Sequence, residues 1–154
     1  MKNTLLTIML ALAAGTAGAA AQEYHPLAVT QGGGPLETGV PAGSTNATPS
    51  DAIGLTKYGD VTLVLQYSLA GPTTYPGNVV FSFAPSADGT NFSSAPPGNL
   101  VFALPSNGTN TVTLVTNVSV GATGYLELYS IGNSATNAAT NISVQGWVKP
   151  KRNG

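Results

Sequence analysis

The sequence predicts an all-β chain: a single antiparallel β-sandwich, jelly-roll or immunoglobulin-like, of about seven or eight short strands. Three observations carry this. Val61, Leu63, Leu65 and Tyr67 alternate with Thr62, Val64 and Gln66, and Val79, Phe81 and Phe83 repeat the pattern. Side chains two apart share one face of a strand, so each run lays an apolar stripe on a core. Gly-, Pro- and Asn-rich turns punctuate the chain roughly every 8 to 15 residues, and no helical period follows the N-terminal segment.

In chain order, residues 1–21 come first. Lys2 precedes an apolar run from Leu5 to Ala14, and Ala19-Ala20-Ala21 stands before Gln22. That is the anatomy of a secretory signal peptide cleaved near Ala21. The run is too short to span a bilayer, which takes about 20 residues. The other reading is an apolar N-terminal strand or helix. Residues 22–50 hold Gln31-Gly-Gly-Gly-Pro35 and four prolines, Pro26, Pro35, Pro41 and Pro49, which exclude helix. An arm or covering loop is expected here, with a short strand at Leu27–Thr30.

Residues 51–148 form the expected sandwich. Ala52–Thr56 is a short strand, and Lys57–Asp60 turns the chain into a strand at Val61–Ser68. A Gly/Pro loop at Ala70–Gly77 leads to Val79–Ala84. Asp88-Gly89 is a tight-turn signal because both residues tolerate positive φ. Leu100–Leu104 is a strand ended by Pro105, and Asn107-Gly108 signals a hairpin into Thr111–Val118. Tyr125–Ile131 and Ile142–Val148 complete the set, separated by a polar loop at Gly132–Thr140. Val61-Thr-Leu-Val64 recurs as Val112-Thr-Leu-Val115, which raises the question of an internal duplication. Residues 149–154 are a basic tail.

Only 7% of residues are charged, against roughly 25% in an ordinary soluble domain. Thr, Ser and Asn take the place of the missing charges. They solvate strand faces and turns without making the surface sensitive to salt or pH. The formal net charge of −1 argues against nucleic acid as the main partner. There is no cysteine, which excludes disulfides, thiolate metal sites and a cysteine nucleophile.

Catalytic constellations are missing from the pattern. His25 is the only histidine, and it lies in the Pro-rich arm. The carboxylates Glu23, Glu37, Asp51, Asp60, Asp88 and Glu127 show no paired spacing of the kind glycoside hydrolysis requires. Asp60 and Asp88 fit turn chemistry. Asp88 with Asn91 offers hard oxygens for Ca²⁺, but a full calcium-loop spacing is absent. No cofactor and no metal are therefore expected, and the chain reads as a non-enzyme. Sequons at Asn46, Asn91, Asn107, Asn117 and Asn141 follow from the Asn/Thr content.

Aromatic side chains are the binding candidates: Tyr75 in the Gly/Pro loop, Phe92 after the Asp-Gly turn, and Trp147 opposite in face to Ile142, Val144 and Val148. Trp147 with Tyr125 or Tyr129 would make a flat platform for a sugar ring or partner chain. The competing reading has Trp147 and Phe92 plugging the ends of the core.

Ser86-Ala-Asp-Gly-Thr-Asn-Phe92, followed by a loop, a strand and Gly124-Tyr-Leu-Glu-Leu-Tyr129, resembles small β-sandwich proteins of tailed-phage structural gene clusters. It is also similar to discoidin-like carbohydrate-binding modules. The resemblance covers about Lys57 to Val148 and implies a non-enzymatic structural or binding module. A signal-like leader departs from the phage pattern, because most virion proteins assemble in the cytoplasm. The expectation is a structural or attachment module, secreted, in the cell envelope, or on a virion. It would act by self-association or by binding surface proteins, or as a carbohydrate-binding module. No membrane span is expected.

Overall fold

The structure is a computed structural model and describes residues 23–27, 30–31, 34–35, 39–46, 52–71, 77–106, 111–119 and 123–150. The expected signal peptide, the basic tail beyond Pro150, and Tyr75 lie outside these residues.

Eleven strands occur among them: β1 (Glu23–Leu27), β2 (Thr30–Gln31), β3 (Gly34–Pro35), β4 (Ser44–Asn46), β5 (Ile53–Gly54), β6 (Tyr58–Leu69), β7 (Gly77–Ser86), β8 (Val101–Ser106), β9 (Thr111–Ser119), β10 (Tyr125–Asn133) and β11 (Ala139–Pro150). The only helical turn described is a short 3-10 element at Gly98–Leu100. Four strands form one sheet in the order β1-β11-β6-β9. A second sheet runs β4-β10-β7-β8, with β5 also on β10. Every pairing is antiparallel.

The chain crosses between the sheets after β6, returns after β8, and crosses twice more to finish in β11 beside β1. Only β7 and β8 are consecutive partners within a main sheet. This is the double-sheet jelly roll, and it decides between the two topologies the strand spacing allowed.

The core follows directly from the alternation. Val61, Leu63, Leu65, Tyr67 and Leu69 of β6 are buried, while the residues between them are half-buried. From the other sheet, Val79, Phe81, Phe83, Leu126, Leu128 and Ile131 join the same apolar cluster. Burying each such large side chain contributes about 1.5–3 kcal/mol. Tyr67 crosses the core and donates its hydroxyl to the Pro105 carbonyl at 3.1 Å. Phe83 and Phe102 meet edge to face, 5.9 Å apart.

Some boundaries differ from expectation. β6 begins at Tyr58, so Asp60 is a strand residue opposite Ser119, not part of a turn. The turn is at Thr56-Lys57, closed by Tyr58 N–H to the Leu55 carbonyl. Pro105 lies inside β8, where an edge strand tolerates a missing N–H. β11 starts at Ala139, inside the expected polar loop. The expected Asn107-Gly108 hairpin lies outside the described residues; the strands on either side of it, β8 and β9, belong to different sheets. The repeated Val-Thr-Leu-Val segments lie on neighbouring strands β6 and β9, with Val64 opposite Val115. In both, the first Val and the Leu point to the core and the Thr and last Val point out, so one sheet environment accounts for the shared pattern.

Candidate functional site

The outward face of the five-stranded sheet carries a hollow of about 370 Å³. Its floor is set by register. Ser82 of β7 faces Ser130 of β10, and Val80 faces Gly132, which in turn faces Thr45 of β4. Opposed residues of an antiparallel pair project to the same side, so these side chains share one surface. Gly132 keeps the floor low: a Cβ there would stand 3.3 Å from Thr45 Oγ1.

A β-bulge puts Ser130 on this face. The pairing of β10 with β7 shifts between Leu128 and Ser130, leaving Tyr129 as the extra residue. Before the bulge Leu126 and Leu128 point inward; after it Ile131 does. Had the ladder continued without the bulge, Tyr129 would face Ser82, Ser130 would point to the core and Ile131 to the solvent.

One wall is the segment 39–46, tied down by Asn133. Asn133 is buried, and its side-chain amide donates to the carbonyls of Val40 (3.0 Å), Pro41 (3.3 Å) and Asn137 (2.9 Å). Its Oδ1 accepts the Ala135 N–H at 2.9 Å. Ser134 also lines the hollow, and its hydroxyl accepts from Asn78 N–H (2.8 Å) and donates to Asn78 O (3.1 Å). Those groups are committed to the scaffold. The hydroxyls of Thr45, Ser82 and Ser130 have no hydrogen-bond partner among the described residues. Among the described residues, no charged or aromatic side chain lines the hollow. Chemically it offers neutral donors and acceptors around a small apolar patch at Val80.

The expected aromatic residues are not brought together. Trp147 sits in β11 opposite Thr62, half-buried on the outward face of the four-stranded sheet. Tyr125 and Tyr129 belong to β10 in the other sheet, so no single platform joins them to Trp147. Phe92 is half-buried in the loop after β7. Neither Phe92 nor Trp147 belongs to the core cluster, contrary to the plug reading.

That loop folds back on the sheet through Ser93 N–H to the Pro85 carbonyl (3.1 Å). Its turn is built on Asp88. One carboxylate oxygen accepts Thr90 N–H (2.9 Å), Asn91 N–H (2.8 Å) and the Ser86 hydroxyl (2.9 Å); the other accepts the Asn91 amide (2.7 Å). These bonds, led by the Asn91 N–H, hold the Asp88 carboxyl well below the usual range. Asp88 thus acts in turn chemistry, with four donors on its carboxylate. Gly89 has φ +75°, and its Cα lies under the Tyr125 ring: a Cβ would stand 3.0 Å from the ring carbons.

Glu127, opposite Ala84, is buried, and that burial pushes its carboxyl up. No cluster of three or more His, Cys, Asp or Glu able to hold a metal occurs among the described residues. No described helix is long and apolar enough to cross a membrane.

The sequence reading missed the hydroxyl hollow. Its signal was present: the inward apolar residues run 126, 128, then 131, a change of phase that marks a bulge.

No family model and no curated protein matches the chain. Solved structures do. One is described as "CBM4 structure and function", at 10% identity and TM-score 0.41, covering 90% of this chain and 83% of that one. Another is the carbohydrate-binding module CBM6cm-2 from Cellvibrio mixtus lichenase 5A in complex with cellotriose, at 17% identity and TM-score 0.38, covering 87% and 89%. At these values neither assigns a role to any residue here.

Proposed function

We propose that this chain is a non-catalytic binding module whose outward hollow takes a neutral, polyhydroxylated ligand, a carbohydrate. The observation that carries this is the facing pair Ser82 and Ser130, with Thr45 beside them, in a concavity with no charge among its described lining residues. A sugar presents hydroxyls that both donate and accept, with C–H patches between them. Neutral serine and threonine hydroxyls match the first, and Val80 matches the second. An ionic ligand would find no countercharge among those described residues. Reading residues 1–21 as a signal peptide would place such a module outside the cytoplasm, where polysaccharides are met.

The test is a screen of neutral and charged oligosaccharides by calorimetry, repeated on Ser82→Val with Ser130→Val. Each lost hydrogen bond is worth about 0.5–1.5 kcal/mol, so the double variant should bind about tenfold more weakly. Because ligand and site are neutral, raising the salt should leave the affinity unchanged. Trp147→Ala separates this from stacking on the other sheet. It should leave hollow binding intact, whereas lost binding would move the site to the Trp147 face.

A further inference from the structure

We infer that β9 is a homodimerisation edge: two copies of the chain pair antiparallel through Thr111–Ser119 and join their four-stranded sheets into one. β9 is at the end of its sheet, with β6 on one side. Every second residue of such a strand turns its N–H and C=O away from its partner, leaving a row of groups for another strand.

Edges are ordinarily protected, and the other edges here are. β1 carries Glu23, His25 and Pro26; β8 carries Pro105; β4 and β5 span 3 and 2 residues. β9 alone among the described edges has no such device. Its sequence TVTLVTNVS holds no charge, proline or glycine, and six of its nine residues are Val or Thr. Its ladder with β6 runs from Asp60↔Ser119 to Ser68↔Thr111 without a bulge, so the edge is regular along its length.

The occupant follows from the strand's own symmetry. Val115 is its midpoint. A two-fold axis there places Val115 against Val115, Thr113 against Asn117 and Thr111 against Ser119 on the outward face. On the core side it places Leu114 against Thr116 and Val112 against Val118. No like charges meet. Val115 is 62% exposed, and Val112 and Leu114 are only partly buried against the core, so a second copy would cover apolar surface that one copy leaves open. One strand pairing is smaller than a standard interface, so the dimer should be weak and concentration-dependent.

The test is weight-average molar mass against concentration by light scattering, from about 1 µM to about 1 mM, the range of weak association. Wild type should pass from one-chain to two-chain mass, while Val115→Lys, which sets two ammonium groups face to face, should stay at one chain with an unchanged melting temperature. The chain lacks cysteine, so single cysteines report register. Val115→Cys should cross-link to itself, because opposed Cβ atoms lie about 5 Å apart. Thr113→Cys should not, being offset from its copy by about 14 Å. A one-chain mass throughout, a Val115→Lys variant that dimerises like wild type, or equal cross-linking at both positions overturns the inference.

Discussion

The Asn133 side-chain amide donates to the Val40 carbonyl at 3.0 Å, joining positions 93 residues apart. Through this bond and its partners at Pro41 and Asn137, one buried side chain fixes the wall of the hollow to the sheet that forms its floor. Removing it strands several backbone groups at once. Asn133→Ala should cost about 3 kcal/mol, read from urea unfolding, since each unsatisfied buried group costs about 1–3 kcal/mol. A loss below about 0.5 kcal/mol, the size of an ordinary surface substitution, would contradict the role given to Asn133.

Gly39 guards the same wall. Its φ is +72°, and a Cβ would overlap the Ala139 carbonyl oxygen, which accepts the Val40 N–H at 2.8 Å. Gly39→Ala should therefore break the Val40–Ala139 bridge, at about 1–3 kcal/mol. Amide exchange at Val40 reads it directly: faster exchange is expected, and unchanged protection would refute the strain.

Asp88 sets an acid limit. Its carboxyl is held below its ordinary value of about 4, so the folded state prefers the charged form. The turn's contribution is complete above pH 4 and is lost as pH falls further. Between pH 6 and pH 2 the urea midpoint of wild type should fall more steeply than that of Asp88→Ala. Parallel profiles would show that the turn bonds do not act on the proton equilibrium.

Glu127 works in the opposite sense. Burial raises its carboxyl, so the protonated form suits the fold. Stability from this group is full below its ordinary value, near 4.3, and is lost as pH rises through the raised one. Glu127→Gln should melt higher than wild type at pH 8, with the gain vanishing near pH 4. A variant less stable at pH 8 would mean that the carboxylate has a partner in the fold.

The sandwich was legible because β6 from Val61 to Leu69 and β7 from Val79 to Phe83 alternate, with every second residue buried. Topology was not. A jelly roll and an immunoglobulin-like fold use the same alternating strands, and the Asn107-Gly108 signal pointed to a local hairpin where the chain changes sheets. The hollow was hidden for a different reason. It is made of Thr45, Ser82 and Ser130, residue types abundant along this chain, and only strand register and the Tyr129 bulge bring them together. Aromatic residues drew attention by rarity, yet the fold puts Trp147 and Tyr125 on different sheets.

The most direct test of carbohydrate binding is an amide chemical-shift titration of the folded protein with neutral oligosaccharides. Saturable shifts should cluster at Thr45, Ser82, Ser130 and Gly132 and persist at high salt. Shifts confined to Trp147 and its neighbours, or none with any neutral glycan, would contradict the hollow as the binding site.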